Sequence, residues 1–326
     1  AMKCVIDILE DRLPTEILKE LLIAHTTGKN IFWASSDYIA LGNGFDFSDP
    51  IEIASITGSN GHVIMPRILK SKEQKKKRTV EKAEIFTPAW VCNDMCNAGD
   101  ESYRAKDSDF NKSDYVDGKH VWCACSEPIR FAEGVTWQDY ILRNCLEITC
   151  GEAPYLVSRY DTTSGELIPL SQRIGLLDRK IRIVNENVSN LCDWLEWTLK
   201  SFQTTYGYDW QGDNVLLARE NLFYSFIEYY EERWGEFPSI DKQIEVAKII
   251  SWNIFQMDGL KMVIPNSCKH GVIDKDDSDL FNEEKLVICE GCKTNNPSKH
   301  NGIPVRIMDW EKRETIEFRS LYTKKR

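Results

Sequence analysis

The pattern of hydrophobic and polar positions predicts a chain in which helices and short strands alternate. Leucine and isoleucine recur from Pro14 to Ala24 at the spacing of an amphipathic helix, and large apolar residues recur in the same way from Leu217 to Trp234. The segments Ile51 to Ile56 and Thr315 to Leu321 alternate like strands. This mixture indicates the α/β class.

One stretch, Leu146 to Leu156, combines a short apolar run, an acidic residue, a turn and a segment opened by Pro154. A strand that leads into a glycine turn and a helix start places free backbone N–H groups and partial positive charge beside a small polar ligand. A purely structural turn is the simpler interpretation, because many such turns carry one glycine. Neighbouring motifs must decide between the two.

Composition and charge narrow the class of protein. The chain has 326 residues, of which 42% are hydrophobic and 28% charged, enough for two domains with a sizeable core. No apolar run approaches the ~18 residues of a membrane span, and no secretory signal opens the chain. Eleven cysteines without such a signal indicate free thiols in a reducing cytoplasm. The net charge of -10 argues against indiscriminate polyanion binding.

A basic segment interrupts this acidic chain. It follows a small N-terminal α/β unit predicted over residues 1–65, and it forms a linker or helix over residues 66–83. Cations that neutralise phosphates add sequence-independent affinity for nucleic acid, whereas a solvated helix is the alternative interpretation. The candidate nucleic-acid contacts are Lys70, Lys72, Lys75, Lys76, Lys77 and Arg78.

Phe86-Thr87-Pro88 comes directly after the basic segment, with Pro88 at a helix start and Thr87 as its cap. The turn at Cys150-Gly151 follows about sixty residues later. In this order the chain resembles adenine-N6 DNA methyltransferases, especially the modification subunits of restriction–modification systems. In that family the Phe-Thr-Pro element lines the methionine end of S-adenosylmethionine, and the resemblance gives that role to Phe86, Thr87 and Pro88.

The main cofactor motif of the family ends a strand with an acidic residue and continues as Cys-Gly-small-Gly. Glu147, Cys150 and Gly151 match this motif, while Glu152 and Ala153 replace the usual small residue and glycine. The resemblance implies that the matching residues hold S-adenosylmethionine.

Two later segments resemble further strand ends of the family. Tyr206 to Trp210 matches the second one, which implies that Asp209 accepts the ribose hydroxyls and that Trp210 stacks on the adenine. Phe255 to Leu260 matches the third, with Asp258 beside the adenine. The resemblance implies a Rossmann-like methyltransferase sheet over residues 84–326, with fewer strands than the complete family sheet. It also implies double-stranded DNA and a separate specificity or restriction subunit as partners.

The motif Asn/Asp-Pro-Pro-aromatic, which holds the flipped adenine in this family, is missing. The first substitute is Asp309-Trp310, which follows the apolar run Val305 to Met308 and offers one acceptor and one stacking ring. The second is Asn295 to Ser298, and the third is Ser35 to Tyr38, which requires a permuted order. We expect Asp309 and Trp310 to be the catalytic, base-facing pair.

Two alternative functions remain open. A degenerate site would make the chain a DNA-binding or assembly subunit of a restriction system. A protein associated with a restriction endonuclease is a third possibility, because Asp178-Arg179-Lys180 is similar to part of a nuclease set. Such triplets are common in exposed turns, and no acidic partner precedes this one on a clear strand.

A Cys/His-rich segment at about residues 261–304 predicts a zinc-ribbon-like insertion. A Cys-x-x-Cys turn places two thiolates on one tetrahedral ion, and a distant loop supplies the other two ligands. Unpaired thiols in a reducing cell are the alternative. The candidate ligands are Cys268, His270, Cys289, Cys292 and His300, with either histidine completing the site.

Overall fold

The computed structural model of the protein describes residues 5–82, 86–272 and 286–323. Its helices are α1 (Thr15–Leu22), α2 (Ile53–Ile56), α3 (Lys72–Lys82), α4 (Ala89–Asp100), α5 (Trp137–Leu142), α6 (Leu176–Asn187), α7 (Leu191–Gln203), α8 (Gly212–Trp234), α9 (Ile240–Asn253), α10 (Glu290–Thr294) and α11 (Arg319–Thr323). Its strands are β1 (Ile23–Ala24), β2 (Lys29–Asn30), β3 (Asn111–Val116), β4 (Lys119–Ala124), β5 (Cys145–Glu147), β6 (Thr205–Asp209), β7 (Ile254–Gln256), β8 (Gly271–Val272), β9 (Leu286–Val287), β10 (Arg306–Asp309) and β11 (Glu314–Glu317).

The protein is a mixed α/β protein built on small sheets, which confirms the predicted class. Its central sheet has three parallel strands in the order β5-β6-β7, with Leu146 opposite Tyr206 and Tyr208 opposite Phe255. Parallel neighbours require long crossovers. Helices α6 and α7 lie between β5 and β6 in the chain, and α8 and α9 lie between β6 and β7. The carboxyl ends of all three strands therefore meet at one edge.

The remaining sheets are antiparallel pairs. Strands β3 and β4 form a hairpin, as do β10 and β11, while β1 pairs with β2 and β8 pairs with β9. The connections of β1 to β2, β3 to β4 and β10 to β11 are short, because antiparallel neighbours need only a tight turn. The antiparallel pairs are therefore separate sheets and add no strand to the central sheet.

Helix α8 runs through the main hydrophobic core. Every residue from Gly212 to Tyr230 is buried, so this helix meets other elements on all sides. It confirms the helix predicted from Leu217 and begins earlier in the chain. Ile17 and Leu18 of α1 belong to the same core, packed near α8 and α9. The boundary predicted at residue 65 therefore does not separate two hydrophobic cores.

Two predicted strands differ from the structure. In the segment predicted as a strand over Ile51 to Ile56, the Ile51 N–H donates to the Ile31 carbonyl, and helix α2 then begins at Ile53, with the Ser55 N–H donating to the Glu52 carbonyl. The strand predicted from Thr315 ends at Glu317, after which α11 begins. Within the described parts of the chain, the longest apolar helical stretches fall short of what a membrane crossing requires.

Candidate functional site

A cavity of about 670 Å³ opens at the carboxyl edge of the central sheet. It is formed by the end of β5 and the turn after it, the end of β6, the start of α8 and parts of α4 and α6. Its lining residues are Phe86, Thr87, Met95, Leu146, Glu147, Ile148, Thr149, Cys150, Gly151, Pro154, Tyr155, Leu176, Asp209, Trp210, Gln211 and Asn214. Seven of the nine residues predicted to hold the cofactor lie here, although they come from three distant segments.

The turn after β5 is shaped by its glycine. Gly151 has a φ of +52°, and a Cβ built there would lie 3.6 Å from the Phe86 ring. The left-handed backbone suits glycine because other residues are strained in that region. The N–H of Cys150 donates to the Tyr208 carbonyl of β6 at 2.8 Å, so the turn is bonded to the neighbouring strand. Together these contacts fix the floor of the cavity.

Asp209 is the carboxylate that joins β6 to this turn. Its Oδ2 accepts the backbone N–H of Gly151 at 3.0 Å, and its Oδ1 accepts the N–H of Gln211 at 3.0 Å and the amide of Asn214 at 3.4 Å. Burial raises the pKa of Asp209 to about 6, against the opposing effect of these bonds. The Asp209 carboxylate, which was predicted to bind a ribose, thus uses both oxygens in hydrogen bonds that join the turn after β5 to the start of α8.

Glu147 is the second carboxyl group of the cavity. It is buried, its Oε1 accepts the N–H of Tyr155 at 3.4 Å, and its Oε2 has no hydrogen-bond partner among the described residues. Burial raises the pKa of Glu147 well above its usual range. An unpaired buried carboxyl oxygen is costly, so a ligand that supplies a donor or a positive charge here would be stabilising.

The electrostatic character of the cavity follows from its lining. It contains the carboxyl groups of Glu147 and Asp209 and no lysine, arginine or histidine among the described residues that line it. Phosphate groups bind where cations or a cluster of free N–H groups converge. The charge balance therefore favours a ligand with positive charge or hydrogen-bond donors over a phosphate-rich one.

Pro88 and Asp258 do not line the cavity. Helix α4 begins at Ala89, whose N–H donates to Asp161 at 2.7 Å, so the predicted cap Thr87 is wrong and Asp161 takes that role.

Asp258 accepts the N–H groups of Leu260 and Lys261 and pairs with the Lys261 ammonium at 3.3 Å. It shapes the turn after β7.

The predicted base-facing pair lies at the opposite edge of the sheet. The Trp310 indole N–H donates to Asn253 at 2.8 Å, and Asn253 directly precedes β7 and bonds to the carbonyl of Thr205. Asp309 ends β10, which pairs antiparallel with β11. A five-residue strand such as β6 separates its two edges by about 13 Å. Asp309 and Trp310 therefore do not line this cavity, and their base-facing role stays a prediction.

The other two substitutes lie elsewhere. Ser35 to Tyr38 follows Phe32, whose backbone bonds to Gln256 at the carboxyl edge, so this segment lies on the same edge as the cavity. Its Tyr38 hydroxyl is nevertheless buried and donates to Asp213 at 2.6 Å. Asn295 to Ser298 lies after α10, in the Cys/His-rich segment.

The basic segment forms α3, as predicted for a helix, but its cations divide into two groups. Lys70 and Arg78 are buried beside Asp213, at 3.5 Å and 2.9 Å. Both charges are neutralised by Asp213 inside the protein and lie outside the exposed basic surface, so their contact with nucleic acid stays a prediction. Lys77 pairs with Asp37 at 3.1 Å, and Lys75 donates to the Ile68 carbonyl at 2.7 Å. Lys72 and Lys76 are exposed to solvent, as is Lys77.

Asp178-Arg179-Lys180 is buried in the first turn of α6, not exposed in a turn. Asp178 accepts bonds from Ser158 and from the start of α6, and Arg179 pairs with Asp100 at 2.7 Å. The Lys180 ammonium donates to the Arg143 carbonyl at 2.7 Å. These partners bury the triplet in the interior, where its side chains bind other parts of the protein, so it does not form an accessible nuclease site.

Four of the five predicted metal ligands converge. Cys268, Cys289, Cys292 and His300 place their ligand atoms within 4.8 Å of one another. The His300 Nδ1 lies 3.6 Å from the Cys268 and Cys292 sulfurs and 3.8 Å from that of Cys289. A tetrahedral zinc with its usual bond lengths requires S···N edges of about 3.6 Å. This Cys3His cluster can hold a structural metal such as zinc.

The fifth candidate, His270, lies outside the cluster. Its Nδ1 accepts the backbone N–H of Cys289 at 3.3 Å, so it supports a ligand and is not itself one. Burial opposes the Cys289 thiolate, but backbone N–H groups led by that of Asn301 lower the pKa of Cys289 to about 6. Gly291 allows the close approach of His300, because a Cβ at this position would lie 2.5 Å from the backbone nitrogen of His300.

Sequence reasoning did not assign Arg67 or Met95 to the surroundings of the cavity. The Arg67 guanidinium lies 5.0 Å from the centroid of the Phe86 ring, and the Arg67 N–H donates to Glu152 at 2.6 Å. Met95 lines the cavity from α4. Their neighbours in space are distant in sequence, and the spacing along α4 alone could have pointed only to Met95.

Comparison of the chain with protein-family models, with curated proteins and with solved structures gives no match. The fold and the site define the class of protein: a mixed α/β protein with a cavity that carries two carboxyl groups at the carboxyl edge of a parallel sheet, and with a separate Cys3His cluster.

Proposed function

We propose that the protein is an S-adenosylmethionine-dependent methyltransferase that acts on N6 of adenine in double-stranded DNA, as part of a restriction–modification system. The observation that carries the proposal is the convergence at one cavity. Phe86, Glu147 to Gly151, and Asp209-Trp210 were singled out by their order in the sequence, and all of them line it. Ligands of open α/β sheets bind at this edge.

The residues present fit such a ligand. The cavity volume of about 670 Å³ lies in the range of small-molecule sites. Glu147 and Asp209 complement an ammonium, a sulfonium or ribose hydroxyls, and the rings of Phe86 and Trp210 offer apolar walls for an adenine. Ala153 occupies the position of the second glycine in the family motif, and it is buried with a φ of +61°.

The chemistry asks mainly for orientation. The lone pair of the adenine N6 forms the new N–C bond while the C–S bond of the sulfonium breaks, its electron pair remains on sulfur, and the nitrogen releases a proton to water. Burial by the cavity walls and the fixed turn at Cys150-Gly151 would hold the donor still during this displacement.

A second candidate is a subunit that binds S-adenosylmethionine and DNA without transferring the methyl group. The observation that favours it is the position of Asp309 and Trp310 at the amino edge of the sheet. A separate specificity or restriction subunit belongs to both candidates.

Calorimetry with S-adenosylmethionine, followed by transfer of a tritiated methyl group to unmodified plasmid DNA, tests the proposal. Binding and transfer are expected, with both lost in Trp210→Ala and retained in Trp122→Ala, which lies outside the cavity. Binding without transfer would favour the second candidate. If the intact protein does not bind S-adenosylmethionine, both candidates are wrong.

A further inference from the structure

The mouth of the cavity is apolar and exposed. Met95, Leu146 and Ile148 line the cavity, yet their side chains are 57%, 43% and 64% exposed. Residues that satisfy both conditions must lie at the opening. We call these three residues the apolar rim. Exposed apolar groups that adjoin a cavity commonly mark a binding surface.

Leu146 of the apolar rim lies on an uncovered part of a sheet face. It stands in β5 between the buried Cys145 and Glu147, so its exposed side chain points to the opposite face of the strand, and Ile148 follows in the turn. The in-register neighbour of Leu146 is Tyr206 on β6, whose hydroxyl reaches the Met308 carbonyl of β10 at 3.3 Å. Parallel sheets normally have both faces covered. The cover thus stops at β6, and the face of β5 stays open at the point where the cavity begins.

A positively charged element adjoins the same cavity. Arg67 lies against Phe86 of the cavity lining, and its guanidinium donates to Thr79 of α3 at 2.6 Å. Helix α3 presents Lys72 and Lys76 to solvent. An occupant with a flat apolar part and a polyanionic part complements this combination, whereas an apolar protein surface would leave the lysines without partners.

We propose that the apolar rim is the surface on which a base of the nucleic-acid substrate lies, with the substrate phosphates on α3. This inference rests on the proposed function, and it places the base at the cavity, which Asp309 and Trp310 do not line. The rings of nucleic-acid bases pack on apolar and aromatic side chains without a sequence requirement, and lysines add affinity that depends on salt.

The test compares Leu146→Ser/Ile148→Ser with Leu142→Ser, all in the intact protein. Leu142 is a matched control, because it is 49% exposed and lies outside the cavity. Duplex DNA binding is measured by fluorescence anisotropy with and without S-adenosylmethionine, and methyl transfer is measured in parallel. In the absence of S-adenosylmethionine, the rim variant is expected to bind duplex DNA about tenfold more weakly than the Leu142→Ser control, and its KM for DNA should rise by a similar factor.

The salt dependence separates base contacts from phosphate contacts. Lys72→Ala/Lys76→Ala should reduce the slope of log affinity against log salt by about two, whereas the rim variant should leave that slope unchanged. Unchanged DNA affinity in the rim variant would overturn the inference even if S-adenosylmethionine binds. It would also be overturned if the wild-type protein self-associates in sedimentation experiments and the rim variant does not. If S-adenosylmethionine does not bind at all, the proposed function fails by a separate measurement.

Discussion

The carboxylate of Asp209 accepts a hydrogen bond from the backbone N–H of Gly151, 58 residues earlier in the chain, at 3.0 Å. This bond ties the end of one parallel strand to the turn that follows its neighbour. The two residues were each expected to contact a cofactor, whereas their closest relationship is with each other. The cavity floor therefore depends on a contact between two segments of the proposed binding motif.

Replacing Asp209 by alanine should destabilise the cavity floor. The substitution leaves the N–H groups of Gly151 and Gln211 without their acceptor, which costs about 1–3 kcal/mol for a buried group. We expect a loss of unfolding free energy of that size in urea titrations and at least tenfold weaker binding of S-adenosylmethionine by calorimetry. Asp107→Ala, on an exposed side chain that pairs with Arg130, is the control and should change neither. Equal stability of both variants would contradict the role of the bond.

Binding of a cationic ligand in the cavity should strengthen as the pH rises. Burial raises the pKa of Asp209 to about 6, so this carboxyl gains its negative charge between about pH 5 and pH 7. A sulfonium or ammonium is attracted only to the ionised form. Calorimetry across that range should show a falling Kd for S-adenosylmethionine and a weaker trend for S-adenosylhomocysteine, which lacks the sulfonium charge. A Kd that is flat or that rises with pH would contradict this prediction.

Asp213 should be a main determinant of stability. It is buried, and the desolvation that opposes its charge is outweighed by Arg78 and Lys70, which lower its pKa. Removing one partner of a buried ion pair costs about 3–5 kcal/mol. We expect Asp213→Ala to lose that much unfolding free energy at pH 7, measured with urea. Because the folded pKa is lowered, the stabilisation is present above the unfolded value of about 4 and is lost as the pH falls, so the difference from wild type should shrink in acid.

The elements that can be inferred from sequence are those fixed by local pattern. The spacing of apolar residues identified α1 and α8, and the strand ends at Glu147, Asp209 and Gln256 lie at one edge, as their motif order implied. Long-range partners could not be read in this way. Nothing in the basic run distinguishes Arg78, which is buried beside Asp213, from Lys76, which is exposed. That difference is decided by a residue more than 130 positions away.

The position of Asp309 and Trp310 away from the cavity has the same physical origin. An apolar run followed by an acidic and an aromatic residue fits the end of a parallel strand, and it fits an antiparallel hairpin equally well. The choice depends on β11, which pairs with β10 from Arg306↔Glu317 to Asp309↔Glu314. For the cluster at Cys268 the sequence pattern predicted a metal site correctly, because a Cys-x-x-Cys turn restricts where its two thiolates lie. The pattern could not decide whether His270 or His300 is the fourth ligand.

The Cys3His cluster should bind one zinc ion per chain. Elemental analysis of protein purified without chelators is expected to show a stoichiometry near one, with strong loss in Cys289→Ser and His300→Ala. His270→Ala is the matched control, since His270 lies outside the cluster and only accepts the N–H of Cys289, and it should retain most of the metal. Gly291→Ala should also lower the metal content, because the added Cβ would displace His300. Retention of zinc in His300→Ala together with its loss in His270→Ala would reverse the ligand assignment, and zinc far below one equivalent in the wild-type protein would refute the site.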